Sequence, residues 1–110
     1  EIGYAKSVSD SSAIVEAPAS YFLAPNYPNP FKHSTRLQYG LPTRAEVTLA
    51  VYDILGRNIK TLVQRVEEAG IKFVTWEGTD ELGRTVSAGL YVCQLRAGDF
   101  VQTRKLVRVE

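Results

Sequence analysis

Short alternating apolar runs, dense turn signals and the lack of any sustained helical period predict an all-β chain, folded as two antiparallel sheets packed face to face. Alternation at every second residue gives each run one core-facing side, and turn residues recur roughly every 8–12 positions. The best helix candidate, Arg57 to Ala69, is β-branched and bounded by Gly56 and Gly70. It reads as a strand.

Residues 1–20, rich in Ser and Ala, read as a linker whose apolar trio Ala13-Ile14-Val15 is a possible edge strand. The folded domain is expected over residues 21–110. It opens with Ala24-Pro-Asn-Tyr-Pro-Asn-Pro-Phe31, where each X-Pro step favours extended backbone and excludes a helix. Arg36 to Leu41 follows as a strand alternating Leu37, Tyr39 and Leu41. Glu46 to Asp53 is the clearest strand, with Val47, Leu49 and Val51 on one face and Thr48, Ala50 and Tyr52 on the other. A turn at Asp53-Ile-Leu-Gly56 leads to a less regular strand, Asn58 to Val66. Ile71 to Trp76 is apolar on both faces, Ile71 and Phe73 opposing Val74 and Trp76. A polar connection, Glu77 to Gly83, precedes a short strand at Thr85-Val86. Leu90 to Leu95 and Phe100 to Val109 close the fold as a hairpin around Ala97-Gly98-Asp99. The total is about seven short strands.

Composition narrows the functional classes. In 110 residues, 45% apolar and 10% aromatic, there is room for one core and a short extension. Thirteen basic residues against 12 acidic ones leave a net charge of +1, and the eight arginines form no block. No general pull towards nucleic acid or anionic lipid follows. No apolar run approaches the roughly 18 residues of a membrane span. The sequence lacks methionine altogether, so it is expected to be a processed product or an excised piece.

Few residues suggest chemistry. A lone His33 beside a proline-rich turn cannot build a metal site. Cys93 lies mid-strand with Tyr91 and Leu95 on the expected inward face, where an inert buried thiol is favoured. Glu77, Asp80 and Glu81 are the one carboxylate cluster; a solvated hairpin explains them, and calcium binding stays open because backbone carbonyls could add ligands. The aromatics Tyr39, Tyr52, Phe73, Trp76, Tyr91 and Phe100 are expected to pack the core, although an exposed coplanar row would suit sugar binding. No phosphate loop occurs, since the glycines punctuate hairpins. Neither an enzyme nor a cofactor or metal site is expected.

The order of the short runs carries further. Leu23-Ala-Pro-Asn-Tyr-Pro-Asn-Pro-Phe31 resembles the opening signature of the C-terminal sorting domains of the bacterial type IX secretion system, with Asn26, Tyr27, Pro28, Asn29, Pro30 and Phe31 as its signature residues. Val51 to Arg57, Ala69-Gly70, Trp76 to Gly78, Ala88-Gly89-Leu90-Tyr91 and Thr103 to Val107 fall in the same order as in that family. The Trp-x-Gly version is also similar to the immunoglobulin-like domain of flagellar hook-capping proteins. Lys32-His33, Glu77 and the final Glu110 depart from the usual pattern.

The resemblance implies an immunoglobulin-like sandwich that is a non-catalytic address label. A cargo fused N-terminally would cross the periplasm, be read by the outer-membrane type IX translocon and its cell-surface processing machinery, and end on the cell surface or outside the cell. It implies no nucleic-acid partner and no direct membrane insertion. Thr103, Arg104, Lys105, Leu106 and Val107 are the residues expected to be recognised, with Gly89 and Tyr91 completing the signature. A structural assembly module is the alternative, and a carbohydrate-binding module a more distant one.

Overall fold

The computed structural model describes residues 17–110; the edge strand considered at Ala13-Ile14-Val15 lies outside the described residues. Seven strands form in the order β1 (Phe22–Leu23), β2 (Thr35–Leu41), β3 (Ala45–Asp53), β4 (Asn58–Glu67), β5 (Gly70–Trp76), β6 (Gly89–Ala97) and β7 (Phe100–Arg108), with no helix among the described residues. They make a three-stranded sheet, ordered β1-β2-β5, and a four-stranded sheet, ordered β4-β3-β6-β7, every pairing antiparallel. This is the expected all-β, immunoglobulin-like sandwich.

Period-two alternation fills the space between the sheets. Leu37, Tyr39 and Leu41 from β2 and Trp76 from β5 meet Val47, Leu49 and Val51 from β3 and Cys93, Leu95 and Ala97 from β6, all buried. On the outer face of the smaller sheet Gly40 is required by contact and not by conformation: the Phe22 ring lies across it, and a Cβ there would stand 2.1 Å from Phe22 Cε2. The sheets are also tied by a polar bond. Tyr39 in β2 donates its hydroxyl to Glu67 Oε1 in β4 at 2.5 Å, and burial followed by that carboxylate holds the phenol protonated well above its ordinary range.

Two expectations are corrected. Thr85-Val86 is not a strand. Its pairing stops at one bridge, Thr79 to Thr85, and one bond from the Val86 amide to the Gly78 carbonyl, because the Asp80–Arg84 loop closes on itself immediately before it. In its place the short β1 supplies the seventh strand. Phe73 does not pack the core. Alternation along β5 sends Val74 and Trp76 inward, so Ile71 and Phe73 point out; Phe73 is 53% exposed, with the Arg36 guanidinium 4.0 Å above its ring. Of the other aromatics, Tyr39, Trp76 and Tyr91 are buried, while Tyr52 and Phe100 are half-buried.

Candidate functional site: the strap and the final strand

The proline-rich run forms a strap that runs beside β2 and then, after a bend at residues 28–30, along β7. Its first half is fixed internally. Tyr27 and Arg36 exchange backbone bonds at 3.0 and 2.8 Å, and the buried Asn26 side chain donates to Thr35 Oγ1 at 2.9 Å. Thr35 in turn donates to the Pro28 carbonyl at 2.8 Å. The path bends at residues 28–30 and asks for few backbone donors there, which suits proline.

The second half is stitched to β7. The Asn29 side chain bonds both ways along the strand edge, donating to the Lys105 carbonyl at 3.2 Å and accepting from the Val107 amide at 3.0 Å. The Phe31 amide then donates to the Val107 carbonyl and its carbonyl accepts from the Val109 amide, each at 2.9 Å. Phe31 itself is buried, its ring edge-on to Trp76 at 5.5 Å. Upstream, β7 side chains do the same for β1: Gln102 Oε1 accepts from the Leu23 amide at 2.9 Å, and Arg104 Nε donates to the Leu23 carbonyl at 2.8 Å. Strap and strand are one unit.

Gly89 and Tyr91 join it from β6, opposite Arg108 and Leu106 in the register. The Tyr91 hydroxyl donates to the Ser87 carbonyl at 2.6 Å, and its ring stands edge-on to Trp76 at 5.5 Å. The structure therefore gathers the signature residues Asn29, Phe31, Gly89 and Tyr91 around the second half of β7, while Asn26 braces the strap itself through Thr35. Pro28 and Pro30 are exposed, and Tyr27 is the most exposed aromatic of the run. Its side chain is 79% exposed and points away from the core.

Along β7 the expected recognition residues divide by environment. Thr103 and Lys105 are exposed, Leu106 is buried, and Arg104 and Val107 are half-buried. Arg104 and Arg108 both spend a guanidinium nitrogen on backbone, Arg108 Nη1 donating to the Val86 carbonyl at 3.0 Å. The outer edge of β7 is already taken in part, because Asn29 and Phe31 cover it from residue 105 to 109. No β7 cation has an ion pair among the described residues, and Lys105 is the one whose side chain is exposed. Arg104→Ala should cost about 1.5–3 kcal/mol, the range for losing a hydrogen bond to a charged donor, while Lys105→Ala should stay within about 0.5 kcal/mol. Denaturant midpoints of the two variants measure this, and equal midpoints would contradict the bracing role of Arg104.

Other groups are placed as follows. His33 is exposed beside the strap. Asp80 is tied to Arg84, and Glu81 Oε2 accepts from the Thr61 amide at 2.8 Å. No group of three or more His, Cys, Asp or Glu among the described residues is arranged to hold a metal ion. Cys93 is buried between the sheets, and burial pushes its thiol up to about 11. A soluble disulfide reagent should therefore label Cys93 slowly in native buffer and fast in denaturant. Rapid stoichiometric labelling of folded protein would contradict that placement.

A sequence profile of the family described as the FlgD Ig-like domain matches residues 29–99. No curated protein sequence matches the chain. Among solved structures, that of dimeric latent PorU from Porphyromonas gingivalis superimposes with a TM-score of 0.61 at 17% identity, covering 84% of this chain and 10% of that one. PorZ of the same organism, described as an essential bacterial surface component of the type-IX secretion system, gives a TM-score of 0.56 at 16% identity, over 82% of this chain and 11% of its own. At these identities the likeness is one of fold. The chain spans about a tenth of the length of either protein.

Proposed function

This chain belongs to the FlgD Ig-like domain family, and on that premise we propose that it is a non-catalytic sorting domain that directs an N-terminally fused cargo through the type IX secretion system. The observation that carries the reading is the recurrence of the same sandwich as a small part of PorZ, a surface component of that system. The signature run supports it, because two of the residues that resemble the sorting signature, Asn29 and Phe31, clamp the strap to β7. A tag of this kind must fold independently of whatever precedes it, and a self-closed sandwich behind a Ser- and Ala-rich segment suits that demand. The outer-membrane translocon and its surface processing machinery are the partners, and the exposed side chains of Thr103 and Lys105, framed by the strap, are the contact. The cargo passes the periplasm and ends on the cell surface or in the medium.

Export of a reporter fused ahead of residues 1–110 tests the contact. Thr103→Glu with Lys105→Glu changes exposed side chains only, so the circular dichroism and thermal melt should hold while export falls severalfold. Undiminished export of the folded double variant would remove this surface from the reading. The family match itself favours a second reading, a structural immunoglobulin-like module that mediates assembly as in hook-capping proteins. The two differ in position: a sorting tag must stand at the C-terminus of its full-length protein, whereas an assembly module can be internal or repeated.

A further inference from the structure

Because Asn29 and Phe31 close the outer edge of β7 from residue 105 to 109, a partner that reads Lys105 meets it across the face of the sheet and not by adding a strand there. Alternation identifies that face. Val51 in β3, Cys93 and Leu95 in β6 and Leu106 in β7 are buried between the sheets. Their neighbours Tyr52, Val92, Gln94 and Lys105, with Thr103, therefore look outward from the larger sheet. The register sets them in rows. Tyr52, Val92 and Lys105 lie side by side, Gln94 lies beside Thr103, and Leu90 beside Val107.

On this face Tyr52, Ile54, Val92, Gln94 and Thr103 line one groove. Ile54, 69% exposed, stands beside it in the turn between β3 and β4. That turn is fixed in advance, since Asp53 Oδ1 accepts from the Leu55 and Arg57 amides at 2.9 Å, so little order has to be gained on binding. Leu90, 43% exposed, and the half-buried Val107 extend the apolar area along the strands. An apolar centre with Gln94, Thr103 and Lys105 at its margin has the make-up of a protein contact. The charges choose the partner. The outer face carries Glu46 on β3, Arg96 on β6 and Lys105 on β7, two bases and one acid, and none of the three has an ion pair among the described residues. Lys105 adjoins the groove through Val92, whereas Glu46 stands at the far end of β3 from Tyr52. The one carboxylate that lines the groove, Asp53, is 14% exposed and held by Arg57 Nε at 2.7 Å. Lys105 is the charge left there without a counterion.

We propose that this groove seats an acidic, apolar segment of the outer-membrane translocon, an apolar side chain entering between Tyr52, Ile54 and Val92 while a carboxylate next to it meets Lys105. The inference rests on the sorting reading and gives its contact a chemistry. Burying the apolar side chain supplies attraction, and the charge-assisted bond to Lys105 fixes orientation and disfavours basic segments.

Export of a reporter fused ahead of residues 1–110, in a bacterium with a working type IX system, tests it. Ile54→Asn should lower export at least fivefold with an unchanged thermal melt, while Leu55→Asn, at the next exposed position but outside the groove, should leave export within twofold of the parent. If Ile54→Asn melts early, Gln94→Glu and Gln94→Lys decide: the carboxylate should lower export at least fivefold and the ammonium should not. Benzoylphenylalanine placed at Ile54 should photo-crosslink to the translocon at least fivefold more than when placed at Phe73 on the outer face of the other sheet. Full export of folded Ile54→Asn, an equal loss in Leu55→Asn, or equal losses in the two Gln94 variants would overturn this inference while the sorting reading stands. So would a concentration-dependent dimer that Ile54→Asn abolishes, since the groove would then serve self-association. Retention of the unaltered fusion in the periplasm would overturn the sorting reading and this contact with it.

Discussion

Trp76→Ala is expected to destabilise the domain by about 3–5 kcal/mol, the range for removing a large buried aromatic, which is a large part of what a domain this size has to lose. Trp76 closes β5 and is fully buried. Phe31 from the strap and Tyr91 from β6 both stand edge-on to it at 5.5 Å, so its ring joins the signature run to the larger sheet. Its indole nitrogen donates to the Thr79 carbonyl at 2.9 Å, and truncation would strand that acceptor as well as leave a cavity. Native emission should be blue-shifted and move red on unfolding. Emission already at the wavelength of a solvated indole in the folded protein would contradict the placement.

Phe31→Ala should cost a similar amount, about 3–5 kcal/mol, and should also loosen the strap. The ring anchors a segment that otherwise holds to β7 by backbone bonds and the Asn29 side chain. Asn29→Ala keeps the ring and removes two bonds near the surface, so it should cost about 1–2 kcal/mol at the usual net value of such bonds. In hydrogen exchange, the amides of Val107 and Val109 should lose protection in both variants before the amides of β3 do. Loss of protection spread evenly over β3 and β7 would mean that the strap has no separate hold on the final strand.

Much of this fold is legible because its strands advertise themselves locally. Val47, Leu49 and Val51 alternate with polar or small neighbours, and the facing of β3 follows from period two alone. Ile71 to Trp76 resists the same reading, since apolar residues on both faces leave the choice of inner face to the partner sheet. Phe73 therefore looked like core and is exposed. β1 is two residues long and is held by Gln102 and Arg104, 79 and 81 positions away, a pairing that no local pattern encodes. The candidate site divides in the same way. The signature run and Thr103 to Val107 stand out as sequence, but the joining of Asn29 to β7 across 76 and 78 positions does not. Nor does the strand pattern show that Arg104 and Arg108 serve backbone carbonyls 81 and 22 positions away.

The sorting proposal is tested most directly by where a cargo goes. A periplasmic reporter fused ahead of residues 1–110 would be produced in a bacterium with a working type IX system and in the same strain lacking its outer-membrane translocon, and the reporter assayed in periplasm, surface and medium. The account predicts reporter at the surface or in the medium of the first strain and confined to the periplasm of the second. Reporter retained in the periplasm of the competent strain, with the fused domain folded, would contradict it and leave the assembly-module reading in its place.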